Sequence, residues 1–362
     1  MSDRCGKRVL SLNLHGLGDF ILSMPVLSAL SHKGCESLTS MVWPALAEFA
    51  GTVPFIDKVV PLPKDKENEP ESSEFVRTIC GPDGFDLVLD FSFLPRAAVM
   101  TKAAGGKRTM GFGIDREAFP WYTDSVPNLP DEHRLARNYH LLEILSIVPP
   151  DKPDFSIRTP ARFRDRVEFL LAAHGIDWRR KPPIAIHPGS GAAKRNWPPE
   201  RFAELADMLS FYTGQQVIIL GGRERTYDGT DETETAARME ALMKSRAVNL
   251  AGQLSLPELA VLLSRSGLFV GNNSGPAHLA ASVARIPALL VWAPRNEKAW
   301  RPAGPQVKIV YAEALCQDQC LLNKCEKIRF CLSMISVEDV FASYLQNFTQ
   351  DGAYTAAAGR KG

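Results

Sequence analysis

The sequence predicts an α/β chain built from two doubly wound parallel sheets, and three observations carry that prediction. Short runs of β-branched residues and leucine recur through both halves, helical patterns separate several of them, and glycine-containing turns stand directly after four of the runs. Apolar runs of this length behave as strands buried on both faces, and their alternation with helices calls for crossover connections.

In the first half the runs are Val9–Asn13, Leu38–Val42, Lys58–Val60 and Asp86–Asp90. In the second half they are Ile184–Ile186, Val217–Leu220, Leu268–Val270 and Ala288–Val291. Between Val148 and Pro183 prolines accumulate at 149, 150, 153, 160, 182 and 183, which favours an exposed connection around an amphipathic helix over Arg162–His174. The expected organisation is an N-terminal domain over 1–160, a linker over 161–182, a C-terminal domain over 183–348 and a frayed tail over 349–362. The polar segment Pro63–Ser73 reads as a mobile loop.

Composition narrows the function classes. The 362 residues are 45% hydrophobic and 23% charged, enough for two domains with their own cores. The balance of 42 basic against 41 acidic residues argues against a dedicated nucleic-acid binder. No run approaches the ~20 apolar residues of a membrane span, and Met1–Val9 lacks the apolar core of a secretory signal. A cytoplasmic protein is expected, with peripheral contact at a membrane face left open. The seven cysteines are an odd total, which argues against a disulfide framework. Cys316, Cys320, Cys325 and Cys331 cluster without paired C-x2-C knuckles, so neither chemistry nor a metal is assigned to them.

Four turns carry candidate chemistry. The first is His15-Gly16-Leu17-Gly18-Asp19, at the carboxyl end of the first strand, where ligands of open sheets sit. Gly16 and Gly18 permit close approach. Asp19 reads equally as a helix cap and as a carboxylate that takes a proton from a hydroxyl. The second is His187-Pro188-Gly189-Ser190 running to Lys194-Arg195-Asn196-Trp197. Small residues followed by two cations suit a diphosphate, with Ser190 donating, Lys194 a point charge and Arg195 a fork. A solvated basic loop is the bland alternative, and Trp197 reads as core. The third is Gly271-Asn272-Asn273-Ser274-Gly275-Pro276-Ala277-His278, a turn entering a helix over Ala277–Val283, capped by Asn273 or Ser274. Alone it is a capped helix. Paired with the second turn it looks like the other wall of a diphosphate pocket. His278 reads as a packed histidine. The fourth, Gly221-Gly222-Arg223-Glu224, offers Glu224 to ribose hydroxyls or simply to solvent.

Together these turns resemble glycosyltransferase family 9, the lipopolysaccharide heptosyltransferases. The resemblance rests on Gly16-Leu17-Gly18-Asp19 with Pro25 beyond it, the His187–Ser190 loop with Lys194 and Trp197, and Gly271–His278; it spans roughly Val9 to Phe341. It implies a GT-B fold, two Rossmann-like domains facing across a cleft, the first binding acceptor and the second a nucleotide-sugar. It also implies inverting, metal-independent transfer, commonly from ADP-heptose, to a lipopolysaccharide core or lipid A-type acceptor, with no cofactor beyond the sugar donor. The general base then falls on Asp19, phosphate contacts on Ser190, Lys194, Arg195 and the Ser274, Gly275 and Ala277 helix start, and nucleoside or sugar contacts on Glu224, Asn273 and His278. Many relatives have aspartate where this chain has Asn273, which removes any charge-based role there. The charged insert Arg225–Thr235 is also unusual and bears on donor access. Acceptor choice would rest on the loops Pro63–Ser73 and Gly105–Asp115, where Lys107, Arg108 and Arg116 either meet acceptor phosphates or form a solvated rim. Competing classes are a GT-B nucleotide-sugar epimerase or hydrolase, which needs further acid–base groups, and a non-catalytic nucleotide-sugar-binding protein.

Overall fold

The computed structural model describes residues 7–68, 70–81, 84–113, 121–127, 129–192, 195–223, 226, 228–292, 297–311 and 328–349. The chain divides into two compact units, Met1–Arg158 and Thr159–Gly362. The stretch 161–182 falls inside the second unit, because its helix packs against another helix of that unit.

The first unit holds strands β1 (Arg8–Asn13), β2 (Ser37–Val42), β3 (Lys58–Pro61), β4 (Leu87–Asp90), β5 (Arg108–Gly113) and β6 (Asp124–Pro127). Its helices are α1 (Leu17–His32), α2 (Pro44–Ala50), α3 (Glu71–Cys80), α4 (Pro95–Ala103) and α5 (Arg134–Ile144). The second unit begins with α6 (Ala161–Ala173), then β7 (Ile184–His187), α7 (Pro199–Thr213), β8 (Val217–Ile219), α8 (Glu232–Leu242) and β9 (Ala247–Asn249). It continues with α9 (Leu256–Ser264), β10 (Leu268–Asn272), α10 (Gly275–His278), β11 (Ala288–Val291), α11 (Glu297–Trp300), β12 (Val307–Val310), α12 (Ile328–Met334) and α13 (Val337–Phe348).

Both sheets are parallel and have six strands, ordered β3-β2-β1-β4-β5-β6 and β12-β11-β10-β7-β8-β9. Numbered within its own unit, the second sheet repeats the order of the first. In such a sheet the chain winds outward in both directions from a central pair, and the crevice at the strands' carboxyl ends opens where the direction reverses. Here the central pairs are β1 with β4 and β7 with β10.

The central strands are buried on both faces, as their largely apolar runs require, and the buried Ser11 of β1 is satisfied by Ser40 Oγ at 3.0 Å. Helix α1 is buried on nearly every side, and its interior accepts Pro25 at the loss of one backbone hydrogen bond. Ser23 and Ser28 remain satisfied within it: Ser23 Oγ donates to Phe20 O at 2.7 Å, and Ser28 Oγ to Asp154 Oδ2 at 2.8 Å. Helix α5 is tied to α1 through Asn138 Nδ2, which donates to Leu22 O at 2.8 Å. In the second unit Ile184, Ile186, Val270 and Leu289 meet Trp197, Phe202 and the α13 residues Val340, Tyr344 and Phe348 in one core. Helix α7 ends at Gly214, whose φ of +63° is the left-handed cap that glycine takes without strain.

Several sequence expectations are corrected here. Strand β5 escaped notice because Gly111 and Gly113 break its apolar run; a Cβ on Gly111 would lie 2.4 Å from Tyr122 Cζ, so the space belongs to that ring. Strands β6, β9 and β12 are short and only partly buried, so they carry no unbroken apolar run. Pro63–Ser73 is not a loop throughout: it contains a 3-10 turn over Lys64–Lys66 and the start of α3. Lys107 and Arg108 lie at the amino end of β5, the edge opposite the strand carboxyl ends, paired with Asp86 and Asp124 at 2.7 Å each. Arg116 is outside the described residues. The helix expected over Ala277–Val283 starts earlier, at Gly275, and widens into a π turn over Leu279–Val283.

Candidate functional site

In the first unit the switch point lies between the β1–α1 turn and the chain leaving β4. Leu14 N donates to Ser92 Oγ at 2.9 Å and joins the two. Gly16 is the N-cap of α1 with extended backbone, and no side-chain cap is made. Asp19 therefore stands in the first turn of α1 without being its cap, and an acidic side chain there is favoured by the helix dipole. Its Oδ1 is buried and accepts no hydrogen bond among the described residues. Arg134 of α5 places Nε 3.6 Å from that oxygen; the arginine side chain is 1% exposed and that of Asp19 22%.

The arginine is held from several sides. Its Nη2 donates to Phe91 O. Its guanidinium lies 3.7 Å from the centre of the Phe93 ring and 5.4 Å from that of Phe112, and those two rings stack at 4.0 Å. Burial lowers the Arg134 pKa to about 10, although the Asp19 carboxylate opposes the shift. Asp90, at the end of β4, is fully buried, and its pKa is raised by that burial. It accepts from Tyr122 OH and from Ser92 N, each at 2.6 Å.

In the second unit the switch point lies between the β7 and β10 turns, and Asn272 locks them together. It is fully buried at the end of β10. Its Oδ1 accepts from Trp197 N at 2.9 Å, while Nδ2 donates to Pro188 O at 2.8 Å and reaches Gly189 O at 3.3 Å. Strands β7 and β10 meet closely at Gly271, where a Cβ would stand 2.9 Å from His187 O. A third turn joins through Glu232, the first residue of α8, which follows the N-cap Asp231. Glu232 Oε2 accepts from Gly222 N at 2.6 Å and lies 3.3 Å from His187 Nε2. Burial works to raise the Glu232 pKa, but the His187 ring and the Gly222 amide outweigh it and the net shift is downward.

The expected phosphate and nucleoside residues separate into distinct environments. Lys194 and Glu224 lie outside the described residues. Arg195 is half-buried, with its backbone N bonded to Ala192 O at 2.9 Å. Ser190 is buried; its hydroxyl lies 2.6 Å from Asn196 Oδ1 and 2.9 Å from Ala192 O, so it is engaged inside its own loop. Ser274 is the N-cap of α10, and its Oγ is buried with no hydrogen-bond partner among the described residues. Gly275 is half-buried at the helix start, while the Ala277 N–H already donates to Ser274 O at 3.1 Å. Asn273 is half-buried just beyond β10, and His278 is buried in α10. Trp197 is core, its Nε1 donating to Ile335 O at 3.0 Å. Of the four clustered cysteines only Cys331 is among the described residues, buried in α12. No group of three or more metal-ligating side chains occurs among the described residues.

Sequence reasoning missed Arg134, Asn272 and Glu232. The first left a signal: Arg134, Arg137, Asn138, Leu141 and Leu142 are buried along one stripe of α5, so two arginines fall on a core face at helical spacing.

The comparisons with known proteins agree on one family. The model of glycosyltransferase family 9 (heptosyltransferase) matches residues 74–327. A lipopolysaccharide core heptosyltransferase, OpsX of Haemophilus influenzae, is 24% identical over 279 residues, covering 76% of each chain. The crystal structure of a family 9 glycosyl transferase from Veillonella parvula superposes with a TM-score of 0.77 at 21% identity, covering 95% of this chain and 98% of that one. Heptosyltransferase WaaC of E. coli, solved with ADP, superposes at 0.70 with 18% identity, covering 94% and 99%. The fold is GT-B, with two Rossmann-like units.

Proposed function

The chain belongs to glycosyltransferase family 9, the heptosyltransferases, and we propose that it moves a heptose from ADP-heptose to a lipopolysaccharide core or lipid A-type acceptor. The donor follows from the relative solved with ADP and the acceptor from the relatives named for lipopolysaccharide core transfer. The observation that carries the reading is the Asn272 clamp, which ties the end of β10 to the turn after β7 at the switch point of the second unit.

In this reading the transfer is one in-line displacement that inverts the anomeric centre. The acceptor hydroxyl oxygen bonds to the anomeric carbon, its proton passes to Asp19, and the bond to the diphosphate breaks with the electron pair leaving on phosphate oxygen. Lys194, Arg195, the Ser274 hydroxyl and the Gly275 amide meet the charge that develops there. Fixed donors aimed at such charge commonly supply the largest catalytic contribution. Ser190 serves by shaping the loop, and Glu232 by holding the His187 and Gly222 turns in register. The reading routes no step through a metal. A lipid-linked acceptor places the reaction at a membrane surface, on its cytoplasmic side, with the enzyme in peripheral contact; among the described residues no helix is long and apolar enough to cross a membrane.

The test is transfer from ADP-heptose to heptose-deficient lipopolysaccharide, read by product mass with and without acceptor and with EDTA present. Product that needs the acceptor and ignores EDTA supports the reading. Sugar released or altered without acceptor would favour hydrolysis or epimerisation. Asp19→Asn should lose about 10²–10⁴-fold in turnover while binding ADP normally; turnover close to that of the parent would refute Asp19 as base.

A further inference from the structure

Two unfavourable features of the first unit converge on one contact. Arg134 is 1% exposed, and a guanidinium leaves water only at a cost that its partners must offset. Phe93 has a φ of +52°, a left-handed conformation disfavoured for a bulky side chain. In that conformation the Phe93 ring lies against the guanidinium, 3.7 Å from centre to Cζ. Phe112 stacks on that ring at 4.0 Å and itself lies 5.4 Å from the guanidinium, and Phe91 O accepts from Nη2. The guanidinium turns Nε toward Asp19 Oδ1 at 3.6 Å. That oxygen is buried, so the 22% exposure of the Asp19 side chain belongs to its other atoms.

We infer that Arg134 is a positioning residue for the transfer: it grips Asp19 through Oδ1 and leaves Oδ2 as the oxygen presented to the acceptor hydroxyl. The inference rests on the assignment of Asp19 as the base. Other charged groups near the pair are Arg137 of α5, which lies over the Phe93 ring at 5.5 Å, and Asp90 of β4, on which His15 of the β1–α1 turn acts in turn. Asp90 is already engaged, its Oδ2 accepting from Tyr122 OH and its Oδ1 from Ser92 N at 2.6 Å each, and it adds a further nearby negative charge to Arg134. A residue that merely stapled α5 to the β4 turn would need the Phe91 contact alone. The ring platform and the turn of Nε toward Oδ1 are what a carboxylate clamp adds.

The full-length protein is compared with Arg134→Gln, Arg134→Lys and Phe93→Leu. Steady-state transfer from ADP-heptose to heptose-deficient lipopolysaccharide gives kcat and KM, and calorimetric ADP binding reports the integrity of the second unit. A loosened base costs turnover and spares sugar-donor binding. Arg134→Gln should therefore lose about 100-fold in kcat, with KM for ADP-heptose and ADP affinity unchanged. Arg134→Lys should recover part of the loss, and added guanidinium should partly rescue Arg134→Gln. Phe93→Leu keeps both charges and should lower kcat several-fold. The carbon-13 carboxyl signal of Asp19, assigned with Asp19→Asn, should move in Arg134→Gln. Unchanged kcat in folded Arg134→Gln, or an unmoved Asp19 signal, overturns the inference. Should the arginine variants fail to fold, Phe93→Leu decides, and full turnover there overturns it. If the parent protein transfers no sugar, the proposed function fails while the carboxyl signal still decides the grip.

Discussion

Replacing Asn272 by aspartate tests the clamp with almost no change in size. The parent amide accepts one hydrogen bond from Trp197 N at 2.9 Å and donates to Pro188 O at 2.8 Å, all within the buried interior. A carboxylate keeps the first bond and loses the second. It also sets a charged oxygen against the Pro188 carbonyl oxygen. A buried group left without its partner costs about 1–3 kcal/mol, and an unpaired buried charge adds to that. The total is about 3 kcal/mol or more. For a unit of this size each kcal/mol lowers the melting temperature by about 2–4 °C, so the second unit should melt about 6–12 °C lower. Asn272→Ala loses the bonds but adds no charge, and should fall between the parent and Asn272→Asp. Scanning calorimetry of the full chain at neutral pH gives the order, and ADP titration gives the consequence for binding, which should weaken at least tenfold for a loss of about 1.4 kcal/mol carried into the binding state. A melting temperature for Asn272→Asp within about 1 °C of the parent would refute the clamp. So would a higher stability for Asn272→Asp than for Asn272→Ala, since that order would make size the property that matters.

Three further outcomes are expected. The Glu232 carboxylate has a folded pKa below its unfolded value of about 4.3, so its stabilisation is complete above that pH and drains as pH falls through the lower folded value. Glu232→Gln should therefore flatten the acid side of the stability curve, read by urea unfolding from pH 3 to 7; an acid limb identical to the parent's counts against the hub. A Cβ on Gly189 would stand 2.5 Å from Glu232 Oε1, so Gly189→Ala should displace the turn and weaken ADP binding in calorimetry, an effect that Glu232→Ala partly relieves. Arg108→Ser breaks a half-exposed pair with Asp124 at the amino edge of the first sheet, so it should cost at most about 1 kcal/mol and leave KM for the lipopolysaccharide acceptor unchanged.

The central strands of both units were legible because burial on both faces demands largely apolar runs, which β4, β7 and β10 supply and which β1 supplies around the buried Ser11. Edge strands satisfy no such demand, and β6, β9 and β12 are only partly buried, with polar residues among their few positions. The turns after β1, β7 and β10 were legible through glycine and proline, whose backbone effects are local. Pairing between turns was not. Asn272 and Asn273 are adjacent and identical in type, and only the course of β10 decides that Asn272 enters the interior while Asn273 remains half-buried beyond the strand. Arg134 stands 115 positions from Asp19, and their meeting depends on the packing of α5 against α1. Local chemistry was thus readable, while contacts made by tertiary packing were visible only as a stripe of buried arginines on α5.

Two units with one strand order carry different chemistry at the same topological place, and the difference follows from what each turn has to meet. In the first unit a carboxylate and a buried guanidinium face each other, an arrangement suited to fixing a proton acceptor. In the second, the buried polar residue that ends the central strand β10 is a neutral amide. Peptide planarity makes its role specific: in a trans peptide the carbonyl of one residue and the N–H of the next point in opposite directions. By drawing the Pro188 carbonyl, and more loosely that of Gly189, toward its own Nδ2, Asn272 turns the N–H groups of Gly189 and Ser190 away from itself. Successive amides presented on one side of a turn form an anion-binding concavity. In the proposed reaction those amides join Gly275 in receiving the diphosphate, and an acidic residue in place of Asn272 would undo the cradle twice, by repelling the anion and by releasing the carbonyls that set its orientation. ADP binding should therefore fall further in Asn272→Asp than its loss of stability alone accounts for, whereas Asn272→Ala should lose the two in proportion.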